Sequence, residues 1–206
     1  MEKEPLKHNG AGGRLRDTYM VGPEKDHVAK IPKEGVVKHY PFGSVTYPTA
    51  LYTLLKFGKA NVNEADYANY KALPEAVRKE FTPSIRMIQG VVVQERVMDY
   101  DGAPSLSMSE HQERFGRIKS ELFWKKIDEL KEIFLAGEPL LGVFYKGSNI
   151  MVKKLSDEEW IPVLIDYKRL GARAYIFQPN LNLNSELRKK FLRQFERFEK
   201  EFRPES

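Results

Sequence analysis

The 206-residue chain contains no cysteine, which excludes disulfides and thiolate metal sites. Its four histidines, His8, His27, His39 and His111, are scattered without an HxxxH pair, so a zinc site is not expected. No run approaches the roughly 20 apolar residues that a membrane helix needs. The stretch MEKEPLKHNG lacks the apolar segment of a secretory signal, and the expected location is cytoplasmic. An excess of one charge is also missing. With 34 basic and 29 acidic residues the net charge of +5 admits nucleotide, nucleic acid or anionic lipid as partners and selects none of them. No interleaving of basic and aromatic residues marks a nucleic-acid surface. What is present is ordinary for a globular protein: 41% hydrophobic residues, enough to expect a core that buries about 70% of the unfolded surface.

The most informative stretch runs from Leu140 to Lys168, LLGVFYKGSNIMVKKLSDEEWIPVLIDYK. Two apolar runs, Ile150 to Val152 and Ile161 to Ile165, flank the polar segment Lys153 to Glu159, which is the pattern of a β-hairpin. Pairing brings the outer ends together, so Asn149 and Asp166 are expected side by side with Lys146 close by. Oxygen ligands on neighbouring strands beside an ammonium suit magnesium and the phosphates it carries. The same residue types also punctuate strand ends without any ligand.

The rest of the chain is arranged around that hairpin. HNGAGGRLRDTYMV places Gly10, Gly12 and Gly13 ahead of a short strand ending at Val21; such glycines let backbone amides face phosphate oxygens, and they also make plain turns. HVAKI, residues 27–31, reads as a strand with Lys30 inside it, a position that points to solvent in most strands. Residues 34–61 read as irregular, broken by Pro41, Gly43, Pro48 and Gly58 around a short helix from Pro48 to Phe57. Asn61 to Leu73 reads as a helix with Tyr67 and Tyr70 on its stripe and Glu64 nearly on the same face, where it could reach Lys30 or simply favour the first turn. A short helical segment from Pro74 to Phe81 and strands at Ile85 to Ile88 and Gly90 to Val97 follow, then the turn-rich MDYDGAP. Ser107 and Glu110 form a capping box opening a helical region whose stripe, Leu122 to Phe134, ends at Gly137. A terminal helix capped by Asn184 or Ser185 carries Leu187, Phe191, Phe195, Phe198 and Phe202 on one stripe.

Taken in order, the glycine turn, the strand with Lys30, the helix with Glu64, the strand ending in a linker, the long helix, and then Lys146, Asn149 and Asp166 resemble the protein-kinase superfamily. The chain is more narrowly similar to the PhoP-regulatory-network protein family (YrbL-like), a small bacterial branch of that superfamily. The similarity is strongest from Leu122 to Asp166, especially KGSNIMV and IPVLID, and weaker across HVAKIP and VVVQERVMDYDGAPSL. It implies an α+β, kinase-like fold with a small β-rich lobe over residues 1–99 and a reduced helical lobe over residues 100–206. It further implies that Gly10, Gly12 and Gly13 lie over the phosphates of ATP, and that Lys30 holds them and pairs with Glu64, or with Asp66 if the helix register differs. The backbone of Glu95 to Val97 would meet adenine, and Asn149 and Asp166 would bind magnesium.

The departures shape the functional expectation. Five residues ahead of Asn149, where active kinases carry the aspartate that takes the proton of the attacking hydroxyl, stands Phe144. Tyr167 and Lys168 follow Asp166 in place of Phe and Gly, and only 40 residues remain beyond it. Lys146 is the candidate for partial compensation through charge. The expectation is therefore a pseudokinase-like regulatory protein that binds ATP and magnesium with weak or absent phosphotransferase activity. The alternative is a protein-interaction module on the same scaffold, using residues 34–61 and the terminal helix as contact surfaces.

Overall fold

The computed structural model describes residues 16–40, 43–50, 54, 60–136, 144, 147–167 and 183–204. Gly10, Gly12, Gly13 and Lys146 lie outside them, as does most of the helix expected over residues 48–57, although Thr49, Ala50 and Leu54 are helical. The architecture is α+β, built from antiparallel sheets and helices. Among the described residues no helix is long and apolar enough to cross a membrane.

β1 (Arg16–Val21) and β2 (His27–Pro32) pair in register from Arg16 opposite Pro32 to Val21 opposite His27. β2 continues into β6 (Val91–Glu95), and β6 into β5 (Ile85–Ile88), giving the strand order β1-β2-β6-β5. The β5–β6 hairpin turns through Gln89 and Gly90 at φ 48° and 79°. Two successive positive φ values match the right-handed twist of the strands they join, which is why glycine is needed at the second position. Strand β6 is accordingly shorter than expected from the apolar run: Gly90 belongs to the turn, and Arg96 and Val97 have left the ladder.

Residues 35–48, expected to be irregular, instead form a hairpin of β3 (Gly35–Tyr40) and β4 (Gly43–Pro48). The sequence explains it: Tyr40 pairs with Gly43 at the turn end of the ladder, and Pro48 sits at the strand end, where its missing N–H costs no ladder bond.

α1 (Val62–Ala72) lies against β2, β5 and β6. Asn61 caps it, its side chain accepting from the Asn63 amide at 2.8 Å, and Pro74 beyond Leu73 stops it, since the residue before a proline disfavours helical backbone. Its buried residues are Val62, Asn63, Ala65 and Asp66. The inward face is therefore rotated from the Tyr67 and Tyr70 stripe, and Glu64 is exposed.

α2 (Glu75–Phe81) precedes β5. β7 (Leu106–Ser107), β8 (Ile150–Lys154) and β9 (Trp160–Leu164) form a three-stranded antiparallel sheet, with Ile150 opposite Leu164 in the expected hairpin. The capping box is present: the Ser107 hydroxyl accepts from the Glu110 amide at 3.2 Å, and the Glu110 carboxylate accepts from the Ser107 amide at 2.9 Å. The helical region it opens is not continuous. α3 (Met108–Phe115) stops at Gly116, whose φ of 81° disfavours any side chain, and α4 (Glu121–Ala136) starts afresh.

α4, the β8–β9 hairpin and α5 (Leu183–Phe202) share one core that includes Phe123, Ile127, Leu130, Phe134, Phe144, Ile150 and Leu164. Phe191, Phe195, Phe198 and Phe202 of α5 are all buried in it. Among the described residues of the terminal helix, the four phenylalanines of its apolar stripe are core, and the outer face, mostly charged but including the exposed Leu192, is open to solvent.

Two outcomes follow from this packing. A Cβ at Gly147 would come within 2.5 Å of the Phe202 ring and 2.8 Å of the Ser109 hydroxyl. Because the Phe202 ring is itself buried, Gly147→Ala is expected to lower stability by about 1–3 kcal/mol in urea unfolding. His111 is buried between the rings of Phe115 and Trp160 at 5.3 and 5.2 Å, and burial holds its pKa below the ordinary value. The unfolded chain then takes up the proton first on acidification. Stability is expected to be flat above the ordinary histidine pKa of about 6.5 and to fall as the pH drops below it. Melting temperatures of His111→Gln should lose that dependence.

Candidate functional site

The place where the two halves of the chain meet is built on the inward face of α1. Asn63 and Asp66, three residues apart, point the same way toward the sheet. The Asn63 amide donates to the carbonyls of Lys30 and Gly90, both at 2.8 Å, which fixes the helix to β2 and to the β5–β6 turn. With α1 anchored, Asp66 is held over the start of β1 and the end of β9.

Asp66 is only 2% exposed, so its charge must be compensated within the protein. One oxygen accepts from Arg16 Nη1 at 2.5 Å and the other from the backbone amide of Tyr167 at 2.9 Å. The second guanidinium nitrogen of Arg16 lies 3.8 Å from Asp166 Oδ1. Burial works against the Arg16 cation, but the charges of Asp66 and Asp166 outweigh it and raise its pKa above the ordinary arginine value. Arg16 is a permanent cation.

Lys30 is buried on β2 and donates through Nζ to the carbonyl of Ile165 at 2.5 Å, across 135 positions of sequence. The Ile165 amide in turn donates to the carbonyl of Asn149 at 3.1 Å, one step outward from the Ile150–Leu164 pair. Lys30, Asn149 and Asp166 therefore converge on the outer end of the β8–β9 hairpin. The Asp166 side chain is about one-fifth exposed, open enough to meet a ligand. Tyr167 beyond it is buried, its hydroxyl donating to the Leu164 carbonyl at 2.5 Å and its ring 5.5 Å from that of Tyr70. Burial pushes its phenol pKa well above the ordinary range, so it is a structural hydroxyl and not an acid–base group at neutral pH.

Other expected site residues fall differently. Glu64 faces solvent, and the inward carboxylate of α1 is Asp66. The register decides this: with Val62 and Ala65 buried against the sheet, residue 66 continues their face and residue 64 opposes it. Around Glu95 to Val97 the backbone is partly engaged, with the Glu95 amide on Ser84, the Arg96 amide on Asp26 and the Val97 carbonyl on the Ser105 amide. Phe144 is 2% exposed and inserted among the rings of Phe134, Phe191, Phe195 and Phe198, at centroid distances of 4.9–6.4 Å.

Sequence reasoning missed Arg16 and Asn63. A lone arginine at a strand start is ordinarily a solvated residue, and nothing local distinguishes this one. The signal lies in Asn63 and Asp66 sharing one helical face with Val62, a polar pair on an otherwise apolar surface that calls for buried partners.

Removing one partner of a buried ion pair costs about 3–5 kcal/mol. Asp66→Ala, which also strips the Tyr167 amide of its acceptor, is expected to lose stability of that order, while Glu64→Ala stays within roughly 0.5 kcal/mol. Chemical unfolding of the two variants makes the comparison.

No family model matches the chain, and no curated protein matches it either.

Proposed function

We propose that this protein binds ATP together with magnesium on a kinase-like scaffold and serves regulation, with weak or absent phosphoryl transfer. The observation that carries the proposal is the contact of the Lys30 ammonium with the Ile165 carbonyl, immediately before Asp166. It unites a cation able to hold phosphate with a carboxylate able to hold a metal, from distant parts of the chain. The order of elements supports the same view: a strand with an inward lysine, a helix with an inward carboxylate, a return strand, a linker, a long helix, and then Asn149 and Asp166.

The donor set fits magnesium. Asn149 and Asp166 offer an amide and a carboxylate oxygen, and so small a protein ligand set is usual for an ion that keeps water and shares phosphate oxygens. Magnesium, when bound, would neutralise phosphate charge. Lys30 would hold the phosphates from the sheet side, and Asp66 would keep the Asp166–Tyr167 backbone in place through the Tyr167 amide.

Efficient transfer is not part of the proposal, because the position of the general base is occupied by Phe144. Its ring belongs to the aromatic core and accepts no proton. Absence of a general base costs about 10²–10⁴-fold in rate.

The test is nucleotide-dependent thermal stabilisation. ATP with magnesium at about 100 times its Kd is expected to add about 2.7 kcal/mol, roughly 5–10 °C in Tm for a chain of this size. Lys30→Ala and Asp166→Ala should each abolish the shift. A wild-type protein whose Tm is indifferent to ATP, with and without magnesium, overturns the proposal.

A further inference from the structure

Arg16 has no part in the nucleotide site as proposed above, yet it is the cation that the structure places against both inward carboxylates. Its guanidinium spans them, Nη1 on Asp66 at 2.5 Å and Nη2 at 3.8 Å from Asp166. An ammonium is a point charge, whereas the planar fork of arginine can serve two carboxylates at once. The side chain is 6% exposed and has little water to screen it from Asp166. A second cation arriving on Asp166 therefore meets a positive charge already in residence.

We propose that Arg16 is a resident cation that competes with magnesium for Asp166, and that Asp66 is the positioning residue that draws it back. The proposal rests on the nucleotide-and-magnesium function above and assigns regulation to that site. The two distances set the balance: the guanidinium is engaged with Asp66 and stands off from Asp166, so the protein holds its metal ligand partly neutralised without surrendering it. If the Asp66 charge is removed, Asp166 is the carboxylate left to Arg16, whose other acceptor among the described residues is the neutral Asn63 oxygen at 3.4 Å, and magnesium has to displace it. If both charges are removed, the Arg16 cation no longer contends with the metal for Asp166. A purely structural ion pair predicts no such reversal of sign.

The experiment uses the full chain at a fixed, saturating ATP concentration and constant ionic strength. Magnesium chloride is titrated, with Tm and calorimetric heat as readouts. Asp66→Asn keeps an oxygen to accept from the Tyr167 amide but loses the charge, and it should raise the half-saturating magnesium concentration by about tenfold, within the usual range of site-to-site coupling. Arg16→Gln combined with Asp66→Asn should lower it by about tenfold relative to wild type, by the same coupling. Should Asp66→Asn not fold, Arg16→Lys keeps a charge beside Asp66 on a side chain without the fork to reach Asp166, and it should lower the requirement severalfold. Magnesium requirements that stay unchanged, or move in one direction in both Asp66 variants, overturn the competition while the wild-type response to ATP and magnesium still stands. A wild type without that response removes the proposed function, and the competition falls with it.

Discussion

A carboxylate with 2% exposure cannot stay ionised inside a protein without partners, and Asp66 draws its partners from opposite ends of the fold. Arg16 comes from the first described strand and the Tyr167 amide from just beyond the last one. Helix α1 brings the charge, held in place by the two bonds of Asn63 to the sheet and its turn. Three segments far apart in sequence are thereby tied at one point by electrostatics, while the apolar residues around them supply the non-directional part of the stability. Because a buried charge tolerates few geometries, the tie also determines where Asp166 stands relative to Lys30.

The second organising constraint is aromatic. Phe134, Phe144, Phe191, Phe195, Phe198 and Phe202 form a continuous set of edge-to-face and tilted contacts joining α4, the segment before the hairpin, and α5. Such rings gain both area and quadrupole complementarity. Phe144 is central to this cluster, and the same placement removes it from any acid–base role. Phe144 is thereby used to hold the terminal helix.

Much of the architecture was legible from local chemistry. Alternating apolar runs located β2, β5, β6 and the β8–β9 hairpin, and the Ser107 and Glu110 pair located the start of α3. The failures have specific causes. In GVVKHYPFGSVTYP the prolines and glycine read as breakers, although a hairpin needs breakers at its turn and tolerates proline at a strand end. The capping pair at Ser107 and the stripe from Leu122 mark two helices, and Gly116, whose positive φ ends α3, separates them. Glu64 was favoured over Asp66 because the two tyrosines suggested a stripe, but both are only half-buried and the true inward face is set by Val62 and Ala65.

The sequence by itself determined the positions of β2, β5, β6, the β8–β9 hairpin and most of the helices, and the candidate status of Asn149 and Asp166, because periodicity, capping and turn chemistry act over a few neighbouring residues; the α+β class and the candidacy of Lys30 came from the order of elements and the resemblance it carries. Only the tertiary structure decided that Arg16 belongs beside Asp66 and Asp166, and that the lysine of β2 reaches the Ile165 carbonyl. These contacts join residues 50, 150 and 135 positions apart, and a charged side chain carries no local mark of whether it will face water or a buried counter-charge. That choice depends on the desolvation it meets once the chain has closed around it.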